Sequence, residues 1–152
     1  MSMYSNTLRE DLAAILNGRV VMAVTAVSPD SDAGRYYDGV VLNMSNLDTV
    51  ELRGNGDCCC SGYVELLDAP SRALRVEDVT IGGFVYADED AERYSDEDNS
   101  TSVLELIGAN GVVRIRVTRE SGGCMYSTDP EIIDSRFAEP YYNDADADLP
   151  IA

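Results

Sequence analysis

Between residues 7 and 17 the apolar side chains fall at Leu8, Leu12, Ile15 and Leu16, with Arg9, Glu10 and Asp11 among them. Steps of i, i+4, i+7 and i+8 trace one face of an α-helix. Thr7 and Glu10 have the spacing of a capping box, in which each side chain accepts from the other's backbone N–H. Gly18 stands where a left-handed residue ends a helix. The pattern predicts one amphipathic helix over residues 7–17.

Past Gly18 the period shortens to two. Arg19–Val27 is dense in valine and stops at Ser28-Pro29-Asp30-Ser31-Asp32. Tyr37–Asn43 and Thr49–Arg53 read as a strand pair about Ser45-Asn46. Cys58–Leu67 follows a Gly54-Asn55-Gly56-Asp57 turn, and Thr80–Ala87 makes another strand, whereas Ala73–Val79 is too short to assign. The sharpest signal is Ser102–Ile107, Ala109-Asn110-Gly111 and Val112–Thr118, a hairpin whose Asn-Gly corner tolerates positive φ. In its second arm Val113, Ile115 and Val117 point one way; Arg114 and Arg116 point the other, toward nearby acids. These elements predict an α+β fold, a mostly antiparallel β-sheet with one N-terminal amphipathic helix packed on it. Residues 1–140 read as a single globular domain carrying an acidic loop over 88–101, and residues 141–152 as an acidic tail.

Composition narrows the chemistry. The chain has 152 residues, 45% of them hydrophobic, which is enough for one real core. It has no apolar run of membrane-spanning length and no signal-peptide start, so a cytoplasmic location is expected. Lys, Trp and Gln are absent, and all 11 basic residues are Arg. That bias fits a GC-rich genome, such as that of an actinobacterium or one of its bacteriophages, and makes the location a host cytoplasm. The chain has no His. Ser-His, Cys-His and His-metal chemistry are thereby excluded. Net charge is −17, and Asp88–Asp98 and Asp129–Asp148 carry most of it. Such a potential repels nucleic acid and anionic membranes and attracts basic partners.

Two stretches carry a family likeness. Gly56-Asp57-Cys58-Cys59-Cys60 with Tyr63-Val64-Glu65 resembles a D-C-C-E-x-V-x-I-E-D segment. Gly111–Val117 with Glu120-Ser121-Gly122-Gly123 and Ser127 resembles a G-x-V-x-I-R-W-x-G-E-S-N-G-Y-Y-S segment. Both segments are found in a family of short phage and bacterial proteins of unknown function. The likeness spans residues 36–128 with gaps. Val117 replaces the family's tryptophan, and a third cysteine replaces the acid after the pair. The resemblance implies a β-rich core and a phage origin, and it implies no mechanism.

The remaining motifs read as structure. On a strand Cys58 and Cys60 share one face and Cys59 takes the other, so the three cannot converge on one ion; only Cys124 lies elsewhere. Cysteine here is expected to serve as a small apolar residue. Asp144, Asp146 and Asp148 alternate as in a calcium loop, but position 6 is Leu149 and position 12 falls past residue 152. Asp88, Asp90 and Glu92 meet Arg93 at position 6. The glycine clusters lack a phosphate-loop pattern and read as turns that need positive φ. No metal, no cofactor and no catalytic residue is expected.

The expected function is therefore a non-enzymatic one. The sequence points to a phage-encoded acidic interaction protein, an inhibitor or nucleic-acid mimic that covers a basic surface of a host or defence protein. Its expected binding residues are Asp88, Glu89, Asp90, Asp96, Glu97, Asp98, Asp144, Asp146 and Asp148, with Tyr94, Tyr141 and Tyr142 as anchors. The alternatives are a virion component, as a decoration or minor tail protein, and a small Asp- or Cys-dependent enzyme.

Overall fold

The computed structural model describes residues 3–56, 60–85, 100–121 and 129–137. The one α-helix among the described residues, α1, runs over Met3–Leu16. It therefore begins upstream of Thr7, and the predicted capping box is corrected: Thr7 lies inside the helix, where its own N–H group needs no side-chain cap. Leu8, Leu12 and Leu16 are buried, while Glu10 and Asp11 are exposed. The stop is as predicted. Gly18 has φ 83°, and its N–H donates to Val76 O at 2.8 Å, while Val76 N–H donates to Arg19 O at 2.9 Å. The guanidinium of Arg75 adds a bond to Gly18 O at 2.9 Å.

Among the described residues ten strands follow: β1 Val20–Val27, β2 Gly39–Met44, β3 Thr49–Arg53, β4 Asn55–Gly56, β5 Cys60–Asp68, β6 Leu74–Arg75, β7 Asp78–Val85, β8 Ser100–Gly108, β9 Gly111–Ser121 and β10 Glu131–Asp134. They form two sheets of five, in the orders β10-β3-β2-β1-β6 and β4-β5-β9-β8-β7. Every pairing is antiparallel. The α+β class with one N-terminal helix is thus observed, with the strands divided between two sheets. No helix among the described residues is long and apolar enough to cross a membrane.

The division follows from which positions alternate. β2 buries Val40, Leu42 and Met44, β3 buries Val50 and Leu52, and β9 buries Val113, Ile115 and Val117. With Val64, Val79, Leu104, Leu106 and the three helix leucines they form one core shared by both sheets. Each sheet thus offers a single apolar face, which only a second layer can cover.

The hairpin at β8–β9 is as predicted, with Gly108 opposite Gly111. Its stated cause is corrected. Among described residues only Leu47, Gly18 and Gly34 have positive φ, so Asn110 and Gly111 do not. The glycines are needed for close approach instead. A Cβ on Gly108 would run into Arg75 O and lie 2.6 Å from Leu74 Cδ1, and one on Gly111 would lie 3.1 Å from Pro70 Cβ. Asn110 Nδ2 then reaches Ala73 O at 3.2 Å. The Gly54–Asp57 turn is also corrected: Asn55 and Gly56 pair with Gly62 and Ser61 as a short strand, and a Cβ on Gly54 would lie 2.9 Å from Tyr37 Cβ.

Candidate functional site

Asp11, Ala14 and Ile15 lie near the end of α1, and Ile132, Ile133 and Asp134 lie on β10. With Phe137 they line a groove of about 570 Å³. The helix supplies this wall because Asp11 and Ile15 are one turn apart on a single face. β10 reaches the groove by pairing with β3, with Ile132 opposite Leu52 and Ile133 opposite Glu51. Phe137 is 74% exposed at the rim, and its ring sits 5.0 Å from Arg136 Cζ.

Two carboxylates border this apolar surface. Asp134 is buried and accepts from Arg136 Nη2 at 2.9 Å and Arg136 Nε at 3.2 Å. The Arg136 hydrogen bonds hold its carboxyl below the usual carboxylate range, against the opposing effect of burial. A carboxylate clamped in this way stays ionised and does not act as a general acid. Asp11 is exposed at the groove's helical wall. The groove can therefore bind apolar and cationic groups.

Elsewhere several of the described arginines are occupied by the protein's own acids. On the outer face of the second sheet Arg114 Nε donates to Glu105 at 2.7 Å, and Arg116 Nη1 donates to Glu65 at 2.6 Å. These two behave as the alternation predicts, directed away from Val113, Ile115 and Val117. On the first sheet Glu51 accepts from Arg35, and from Arg53 at 3.0 Å, and Arg19 lies 3.5 Å from Asp48. Gly39 leaves the room for this cluster, since a Cβ there would strike Glu51 Oε2 and Arg35.

Arg119 differs from its neighbours on β9. It is 1% exposed, ion-paired to Asp129, and 3.4 Å from Ser102 Oγ. Its Nη2 has no partner among the described residues. Position 119 continues the 113, 115, 117 series, so its inward direction was readable from the sequence; the charge of the side chain hid it. Asp129 and Asp134, counted with the second acidic segment, are likewise internal partners of arginine.

The predicted binding residues Asp88, Glu89, Asp90, Tyr94, Asp96, Glu97, Asp98, Tyr141, Tyr142, Asp144, Asp146 and Asp148 all lie outside the described residues. So do Cys58, Cys59 and Cys124, and nothing is described of the Cys60 side chain. Among the described residues no group of three or more potential metal ligands comes together. No family model, curated protein or solved structure matches this chain.

Proposed function

We propose that this protein acts by binding, without a reaction of its own, as a phage-encoded acidic protein that covers a basic surface on a host or defence protein. The observation that carries this reading is the division of charge. In the described body Arg19, Arg35, Arg114, Arg116, Arg119 and Arg136 each sit against a carboxylate of the same chain. Segments 88–98 and 144–148 carry −9 of the −17, with a single Arg93 among ten acids. Charge that is not neutralised internally attracts a cationic surface over a distance and excludes nucleic acid. Asp88, Glu89, Asp90, Asp96, Glu97, Asp98, Asp144, Asp146 and Asp148 then make up the electrostatic face, with Tyr94, Tyr141 and Tyr142 as aromatic anchors.

The test compares the native chain with one in which those nine acids are changed to Asn or Gln. Both are used to capture proteins from an actinobacterial lysate at low and high salt. A captured protein should be lost on raising the salt and on neutralising the acids. Capture of the same proteins by both chains would remove the basis of the proposal.

A further inference from the structure

The groove between α1 and β10 carries charge of one sign. Its described lining combines apolar residues with Asp11 and Asp134 and contains no base. Asp134 is taken up by Arg136, and Arg136 in turn lies against the Phe137 ring. Asp11 is exposed and has no ion pair among the described residues. It stands one turn before Ile15, so its charge sits beside the apolar floor. This wall is also the end of α1, whose last turn carries no basic residue and whose dipole is negative there. Arg19 makes one contact with that end, 3.5 Å from Ile15 O.

Apolar surface continues beyond the rim. Ser135 N–H donates to Thr49 O at 2.9 Å, and Thr49 N–H donates to Ser135 Oγ at 2.9 Å. These bonds hold the β2–β3 corner beside the residues that follow β10. Leu47 lies two residues before Thr49, and Phe137 two residues after Ser135. Leu47 is 93% exposed at φ 76°, a conformation that glycine adopts without strain and leucine does not. An apolar side chain held there contributes nothing to this chain's own core. Strain and exposed apolar surface on one border mark a place of contact.

We propose that the groove receives a segment of a protein partner that carries apolar side chains together with Lys or Arg. Its apolar groups cover Ile15, Ile132 and Ile133, and its cation meets Asp11. This deepens the binding role proposed above, on which it rests, by naming the chemistry of the partner. Charge decides against the other occupants. A second copy, or this chain's own acidic segments, would bring more negative charge to Asp11, whereas a basic segment is drawn in by a net charge of −17. A compact molecule held in about 570 Å³ would leave Leu47 uncovered; a polypeptide segment reaches both.

The chain has no Trp, so the emission of a tryptophan placed in a peptide reports on that peptide alone. Three capped peptides carrying one tryptophan each, built on leucine and lysine, leucine and glutamate, and serine and lysine, are titrated into the full native chain at physiological salt. The leucine–lysine peptide should bind with its emission shifted to the blue as the indole leaves water, and the other two should bind at least ~10-fold more weakly. Ala14→Phe fills the groove from an exposed position, so it should abolish the blue shift and leave the unfolding midpoint unchanged. Asp11→Lys should weaken the leucine–lysine peptide about 10-fold and favour the leucine–glutamate one. A chain with the nine acids of the electrostatic face changed to Asn or Gln should keep the blue shift and its sensitivity to Ala14→Phe. Binding without a blue shift that vanishes in that nine-acid variant would overturn the groove proposal and leave the acidic face standing. No binding by the native chain, the result for a groove filled by its own residues or by a second copy, would also overturn it. So would equal binding of the three peptides, or indifference to Ala14→Phe.

Discussion

β1 and β9 have nearly the same need for a partner layer and meet opposite fates. β9 alternates Val113, Ile115 and Val117 with Arg114, Arg116 and Thr118, and the three apolar residues are completely buried. β1 has no charged residue, yet Val24 and Val27 are only partly covered, and Ala23, Thr25 and Ala26 are exposed. β9 is the middle strand of its sheet, between β5 and β8, and faces the core along its length. β1 gains a second neighbour for only two residues. Burial follows a strand's place in the sheet more than its apolar content.

Substitutions should reproduce that contrast. Arg119→Ala leaves the Asp129 carboxylate without its cation and opens a void at the end of β9. It should cost about 3–5 kcal/mol, read as a lower urea midpoint at unchanged m-value. Ile115→Ala on the same face should cost about 2–5 kcal/mol by cavity formation. A small loss at either position would break the comparison. Gly108→Ala drives a methyl group into Arg75 O and should cost about 1–3 kcal/mol, since backbone cannot move aside as a side chain can. Val24→Ala on β1 should cost less than about 1 kcal/mol, because that side chain gives up little water on folding.

A smaller effect comes from Asp134, whose carboxyl is held below its ordinary value by Arg136. A depressed folded-state value means that the carboxylate adds stability above the unfolded value, near ~3.9, and loses it as pH falls through the lower folded value. Asp134→Asn should therefore be less stable than the native chain by about 1 kcal/mol near neutral pH, and the gap should close in acid. Chemical denaturation at several pH values measures it; a gap that persists or widens toward low pH would contradict the assignment.

Long periodic elements were legible in the sequence, and short or compensated ones were not. The helix over residues 7–17, its stop at Gly18 and the 102–118 hairpin each rest on several residues that agree. β10 is only Glu-Ile-Ile-Asp within an acidic stretch, and its strand character comes from pairing with β3. β4 and β6 are too short to leave any periodic trace. The groove joins α1 to β10 across a sequence gap of more than 100 residues, so no local pattern announces it. Of the predicted electrostatic face the described residues contain none.

The pairing of β10 with β3 also bears on how the chain reaches this state. Glu131 lies opposite Arg53, so the first sheet keeps an unfilled place until a segment far downstream arrives to complete it. Closing so wide a loop carries an entropic penalty that no early contact offsets, and topologies of this kind acquire their native form in milliseconds to seconds. During that interval β3 is an unpaired border of the first sheet. Refolding yield should fall with protein concentration for this reason, before any property of the finished molecule comes into play.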